Sequence, residues 1–127
     1  GAVNGSFWGP DFDNPASRKF VADFEAKFKR IPSQYAAQSY DAALLLASAL
    51  AKVKGNLADK RAFMAALKAA DFQSVRGAFR FGNNNFPIQD MHVFEAFKDA
   101  QGRMNVKTIA TPMKAARDSY ADKCPMK

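Results

Sequence analysis

Apolar residues recur at three- and four-residue steps up to Ala70 and then at nearly every second position. That change of period predicts helices first and strands afterwards. The longest helical stretch is IPSQYAAQSYDAALLLASAL at 31–50. Pro32 and Ser33 open it, a residue with no N–H to leave unpaired and a side-chain oxygen able to cap. Ala36, Tyr40, Ala43, Leu44, Ala47 and Leu50 share one face, and Leu45 and Leu46 widen it, so the helix is expected to be covered on two sides and to run to about Val53. An earlier helix is predicted from Asn14 as cap and Pro15 at the first position, with Phe20, Val21, Phe24 and Phe28 as a core stripe. A third starts after Asp59, with Phe63, Ala66, Leu67 and Ala70 on its buried face.

Period two marks the strands. A short one opens the chain at 3–8, closed by Gly9 and Pro10. Another is predicted at 74–81, with Val75, Gly77, Phe79 and Phe81 on one side and Arg76, Ala78 and Arg80 on the other. The Gly82 to Asn85 run is a turn, because Gly and Asn tolerate positive φ. Strands at 91–97 and 103–109 are joined by a four-residue hairpin connection at 99–102. Thr111 and Pro112 then predict a last short helix through Tyr120. Three helices in a row followed by few strands do not make an alternating βαβ domain. Phe7, Trp8, Phe79, Phe81, Phe94 and Phe97 also offer more apolar surface than so few strands cover. The chain reads as part of a larger body.

Composition narrows this picture. With 127 residues and 48% hydrophobic content, the chain is a folded globular segment of one domain's size. No apolar run approaches the roughly 20 residues of a membrane span, and the opening GAVNGSFWGP lacks the basic and apolar regions of a leader. The formal charge of +7 comes from lysines and arginines scattered over several helices, with no block of like charge and no interleaved aromatics. Nucleic acid is therefore not an expected partner. Catalytic chemistry finds no foothold: His92 is the single histidine, and there is no HExxH, GxSxG, phosphate-binding loop or cysteine pair at zinc spacing. The Asn4-Gly5-Ser6 sequon is read as chance. The lone Cys124 is inert in a reducing compartment and asks for a partner in an oxidising one. The one place that points to a ligand is the first turn of the long helix, where Gln34, Tyr35 and Gln38 surround unpaired backbone donors.

The run PSQYAAQSYDAALLLASAL, with DNPASRKFVADFEAKFKR before it and FQSVRGAFRFGNNNFPIQDMHVFEAFKDAQGR after it, resembles the C-terminal third of the type I periplasmic solute-binding proteins. The branch it resembles is the branched-chain amino-acid-binding group of ABC importers, including members that bind aromatic carboxylates. The resemblance covers nearly the whole chain as a register of many positions. It implies an α/β fold of two lobes closing on a solute: residues 1–9 as a hinge-crossing strand, 10–89 as a portion of the first lobe, and 90–127 as the return crossing, a β-hairpin and the tail of the second lobe. It implies a non-enzymatic, periplasmic receptor with no cofactor. Its partners are a small-molecule ligand, a membrane permease that reads the closed form, and a preceding segment supplied by the same protein or another copy. Tyr35 falls where the family has an aromatic ligand contact. Phe7 and Trp8 fall at the hinge, where core packing is the preferred use of both, and Gln38 is a second donor one turn on. Asp41 is expected to pair with a donor in the core rather than hold a ligand. Cys124 is implied to bond to a cysteine in the preceding segment. The alternatives are a ligand-sensing domain of the same fold in a regulator or receptor, and a basic module binding anionic polymers.

Overall fold

The computed structural model describes residues 1–126. Strand β1 (Val3–Ser6) is followed by helices α1 (Pro15–Phe28), α2 (Gln34–Lys52) and α3 (Lys60–Lys68), then strands β2 (Arg80–Phe81), β3 (Pro87–Lys98) and β4 (Met104–Ala116). A single turn of 3-10 helix, Ala121–Lys123, follows β4. Each helix starts where its capping side chain stands. Asn14 accepts from the Ser17 N–H at 2.9 Å, Ser33 from Ala36 at 3.3 Å, and Asp59 from Ala62 at 2.9 Å.

Strand β3 is the hub of the sheet, and every pairing is antiparallel. Val3–Ser6 lies along one edge of it, opposite residues 92–95, β4 lies along the other, and β2 pairs with Pro87 and Ile88. The hairpin at 99–103 closes as its turn residues require. Asp99 N–H donates to Arg103 O at 2.9 Å, and Gly102 takes φ +76°. Between Gln89 and Phe94 the β3–β4 register slips three times, each time by one extra residue on β4, and Ala115 in that stretch has φ +45°. Successive bulges of this kind bend and twist a strand pair locally.

The core lies where β1 ends. Trp8, Phe20, Ala37 and Val75 are buried together, with Phe7, Phe12, Phe24 and Tyr40 packed around them. The Trp8 indole N–H donates to Ser17 Oγ at 2.9 Å, so the buried ring leaves no orphan donor. Asp41 pairs in the core, as its sequence context implies. Its carboxylate accepts from Ser74 Oγ at 2.6 Å and from the Val75 N–H at 2.9 Å. Arg76 Nε lies 3.2 Å away from it.

Four sequence expectations are corrected. The 74–81 strand shrinks to Arg80–Phe81, because Asp41 claims the donors of Ser74 and Val75 and a turn follows, with Gly77 at φ +87° donating to Ser74 O. The alternation there reflects a loop threaded past a buried carboxylate. Where a helix is expected from Thr111 to Tyr120, residues 111–116 are the outer half of β4 and 117–120 are loop and turn. Met113 and Ala116 pair with Met91 and Gln89, and Pro112 sits where the ladder skips, the position at which a strand tolerates a missing N–H. The face of α2 turned to the core is set by Ala37, Asp41 and Ala49. Ala43, Ala47, Leu46 and Leu50 of the expected faces are exposed, Leu46 at 48%, so α2 is covered on one side within this chain. Phe28 likewise leaves the α1 stripe and is exposed.

Candidate functional site

The ends of β1 and α2 and the β-hairpin converge on a cleft of about 370 Å³. Strand alternation puts Asn4, Ser6 and, just past the strand, Trp8 on the side that faces it. The link between α1 and α2 contributes Ile31, Pro32 and Ser33, and the first turn of α2 adds Gln34 and Tyr35. The opposite wall is the hairpin: Phe94 and Ala96 from β3, Met104, Asn105 and Val106 from β4.

Tyr35 stands at the mouth of α2 with 71% of its surface open. Neither its ring nor its hydroxyl is committed to a partner inside the chain among the described contacts. Ser6 Oγ donates to Gln34 Oε1, which ties β1 to the α2 start and leaves the Gln34 amide N–H₂ available. Trp8 is only 2% exposed, so it edges the cleft as part of its floor and serves the core. An ion pair at 3.4 Å between Glu25 of α1 and Arg103 spans from the helical layer to the hairpin. Asp11 accepts from the Thr108 N–H at 2.6 Å and from its hydroxyl at 3.0 Å. These bridges hold the hairpin against the helical layer.

No charged side chain lines the cleft among the described residues. Its surface is aromatic and aliphatic, with hydroxyl and carboxamide groups. Such a wall takes the apolar or aromatic part of a solute and offers hydrogen bonds to hydroxyls or carbonyls. It supplies no counter-charge.

Of the residues singled out in the sequence, Gln34, Tyr35 and Trp8 line this cleft. Phe7 does not: it points the other way, beneath the Arg76 guanidinium, whose carbon is 4.3 Å from the ring centroid. Gln38 is exposed one turn beyond and does not line the cleft either. Cys124 is half-buried with a free thiol after the 3-10 turn and lies outside it. The sequence reading missed Asn4, Ser6, Phe94 and Asn105. The period of β1 already put Asn4 and Ser6 on the face of Trp8, and that was the available signal. Phe94 reaches the cleft through the pairing of β3 with β1, opposite Asn4, and Asn105 through the pairing of β4 with β3.

A family model described as periplasmic binding protein matches residues 1–101. The chain belongs to the periplasmic binding protein family. Among solved structures, it is similar to an ABC-transporter solute-binding protein from R. palustris in complex with benzoate, with a TM-score of 0.84 and 29% identity over 94% of this chain and 32% of that one. A solute-binding protein from Rhodopseudomonas palustris BisB5 in complex with 3,4-dihydroxy benzoic acid matches with a TM-score of 0.80 and 24% identity, over 94% of this chain and 32% of that chain. A leucine binding protein from Thermotoga maritima shares the fold, at a TM-score of 0.69 and 21% identity over 88% of this chain and 31% of that one. Comparison with curated protein sequences gave no match. The chain spans about a third of the length of the structures it matches. The architecture is thus part of the type I periplasmic-binding fold, and the two Rhodopseudomonas relatives are solute-binding proteins of ABC transporters.

Proposed function

We propose that this chain forms one wall of the solute cleft of an extracytoplasmic ABC-importer binding protein, and that the solute is a small aromatic carboxylate. The observation that carries the reading is Tyr35, an open aromatic ring at a helix mouth, above a cleft lined by aromatic and uncharged polar groups. An aromatic solute gains edge or face contact with such a ring beyond the area it buries, worth about 0.5–1.5 kcal/mol. The similarity to a benzoate-bound solute-binding protein supports the same class. Because the wall carries no charged side chain, the groups that neutralise the carboxylate come from the facing part of the fold. That leaves the ring and its substituents to Tyr35, Gln34 and Asn105.

In the same reading, residues 1–9 and the start of β3 cross between two lobes, and 10–89 and 90–127 belong to one lobe each. The three register slips between Gln89 and Phe94 give the return crossing the local bend that a hinge needs. Binding then shifts an open–closed equilibrium that a membrane permease reads. Cys124 pairs with a cysteine outside this chain, which the intact mass under non-reducing conditions checks. The test of the reading is a thermal-shift screen of the binding protein that contains this chain, against benzoate, 3,4-dihydroxybenzoate and leucine. A solute that binds the folded form raises the midpoint by mass action. The aromatic acids are expected to raise it and leucine to leave it unchanged; a shift with leucine alone overturns the aromatic assignment.

A further inference from the structure

Behind the cleft, one side chain touches α2, β3 and the residue that follows β1. The Arg76 side chain is 7% exposed, and its Nε lies 3.2 Å from Asp41 of α2, six residues beyond Tyr35. Its Nη1 donates to Gln89 Oε1 of β3 at 2.8 Å. Gln89 is where the register slips begin. The guanidinium carbon is 4.3 Å from the Phe7 ring centroid and 5.2 Å from that of Phe79. Phe7 sits between Ser6 and Trp8, two residues of the cleft wall. The Phe7 and Phe79 rings beside the guanidinium hold its plane. That plane aims Nη1 at Gln89 of β3 and keeps Nε beside the Asp41 carboxylate as an ion pair, with no hydrogen bond of its own among the described residues.

We propose that Arg76 is a positioning residue for solute binding: it sets the α2 turn carrying Tyr35 against the bent part of β3. This rests on the cleft reading above. A buried ion pair adds little net stability over an apolar filling of the same volume, because desolvation offsets its Coulombic gain. What the arginine supplies here is direction. A lysine keeps the charge, lacks the planar fork and reaches one of the two acceptors at a time. Arg76 acts through Asp41, Gln89 and Phe7, without touching the solute.

The test uses Arg76→Lys, Gln89→Ala and the double variant in the binding protein that contains this chain. Two quantities are read: benzoate affinity by calorimetry, and ligand-free hydrogen exchange of the backbone amides at 37–41. Each single variant is expected to weaken benzoate about ten-fold. The double variant is expected to weaken it no further, because both break one linkage. Exchange at 37–41 is expected to rise about ten-fold in Arg76→Lys while that of α1 stays unchanged. A folded Arg76→Lys protein with native affinity and native exchange overturns the proposal. If the native protein does not bind benzoate, the cleft reading falls and exchange alone decides the role of Arg76: unchanged rates overturn it, and a rise confined to 37–41 sustains it. If Arg76→Lys does not fold, Gln89→Ala decides by the same readings, since it leaves the Asp41 pair in place.

Discussion

Tyr35 and His92 show what single residues contribute. Tyr35→Ala removes the open ring at the cleft and is expected to weaken an aromatic solute about ten-fold, near 1.4 kcal/mol, with little change in stability because the ring is exposed. Tyr35→Phe keeps most of the affinity if the ring is what counts. Calorimetry on both variants checks this. His92 has Nδ1 2.9 Å from Thr111 Oγ1 and meets the Phe12 ring edge-to-face. Burial pushes its imidazole below the ordinary value, against the pull of Asp90 and Asp11, while Lys114 adds to the depression. Above the unfolded pKa of about 6.5 both states are neutral and the residue makes stability no steeper. Below it the unfolded chain takes the proton first, so stability falls with pH until the folded imidazole also titrates. Urea midpoints at about pH 8 and about pH 5 should show this loss, and His92→Gln should reduce the slope.

Among the elements, the helices were legible in the sequence and the outer sheet was not. Asn14, Ser33 and Asp59 announce their helix starts through chemistry confined to four residues, and each caps as expected. The extension of β4 to Ala116 depends on β3 more than twenty residues earlier, and Thr111-Pro112 carries a local helix-start signal that the sheet overrides. The 74–81 loop failed for a similar reason. Its alternation is real, but a carboxylate on α2 decides the backbone there. The burial of Asp41 was legible, whereas its partner Arg76 lies in the distant loop between α3 and β2. The cleft residues followed the same division: Tyr35 was visible from its helix start, while Phe94 and Asn105 needed the strand pairing. The Ser33 cap belongs to this scale. Ser33→Ala is expected to cost about 1 kcal/mol of stability and to loosen the turn that presents Tyr35, which denaturant unfolding and exchange of the Ala36 amide would register.

The molecule as a whole holds a thin interior and broad uncovered apolar faces. Leu46 and Leu50 on α2, Leu57 and Met64 around α3, and Ile109 and Met113 on β4 are all exposed. Apolar area of this extent on a free monomer favours association. The 127-residue chain expressed alone is expected to sediment as dimers or larger species despite its charge of +7, and co-expression with the facing two thirds of a periplasmic-binding fold is expected to suppress that. A monodisperse monomer in sedimentation velocity would contradict it. The same faces explain why three helices and a bent hairpin do not close into a self-sufficient α/β domain.

A crystal structure of the binding protein that contains this chain, solved with benzoate, shows whether Tyr35 holds the solute. The ring is expected between Tyr35 and the hairpin residues Met104 and Val106, within van der Waals contact of the tyrosine. Benzoate bound elsewhere, with Tyr35 facing solvent in the closed form, would contradict it.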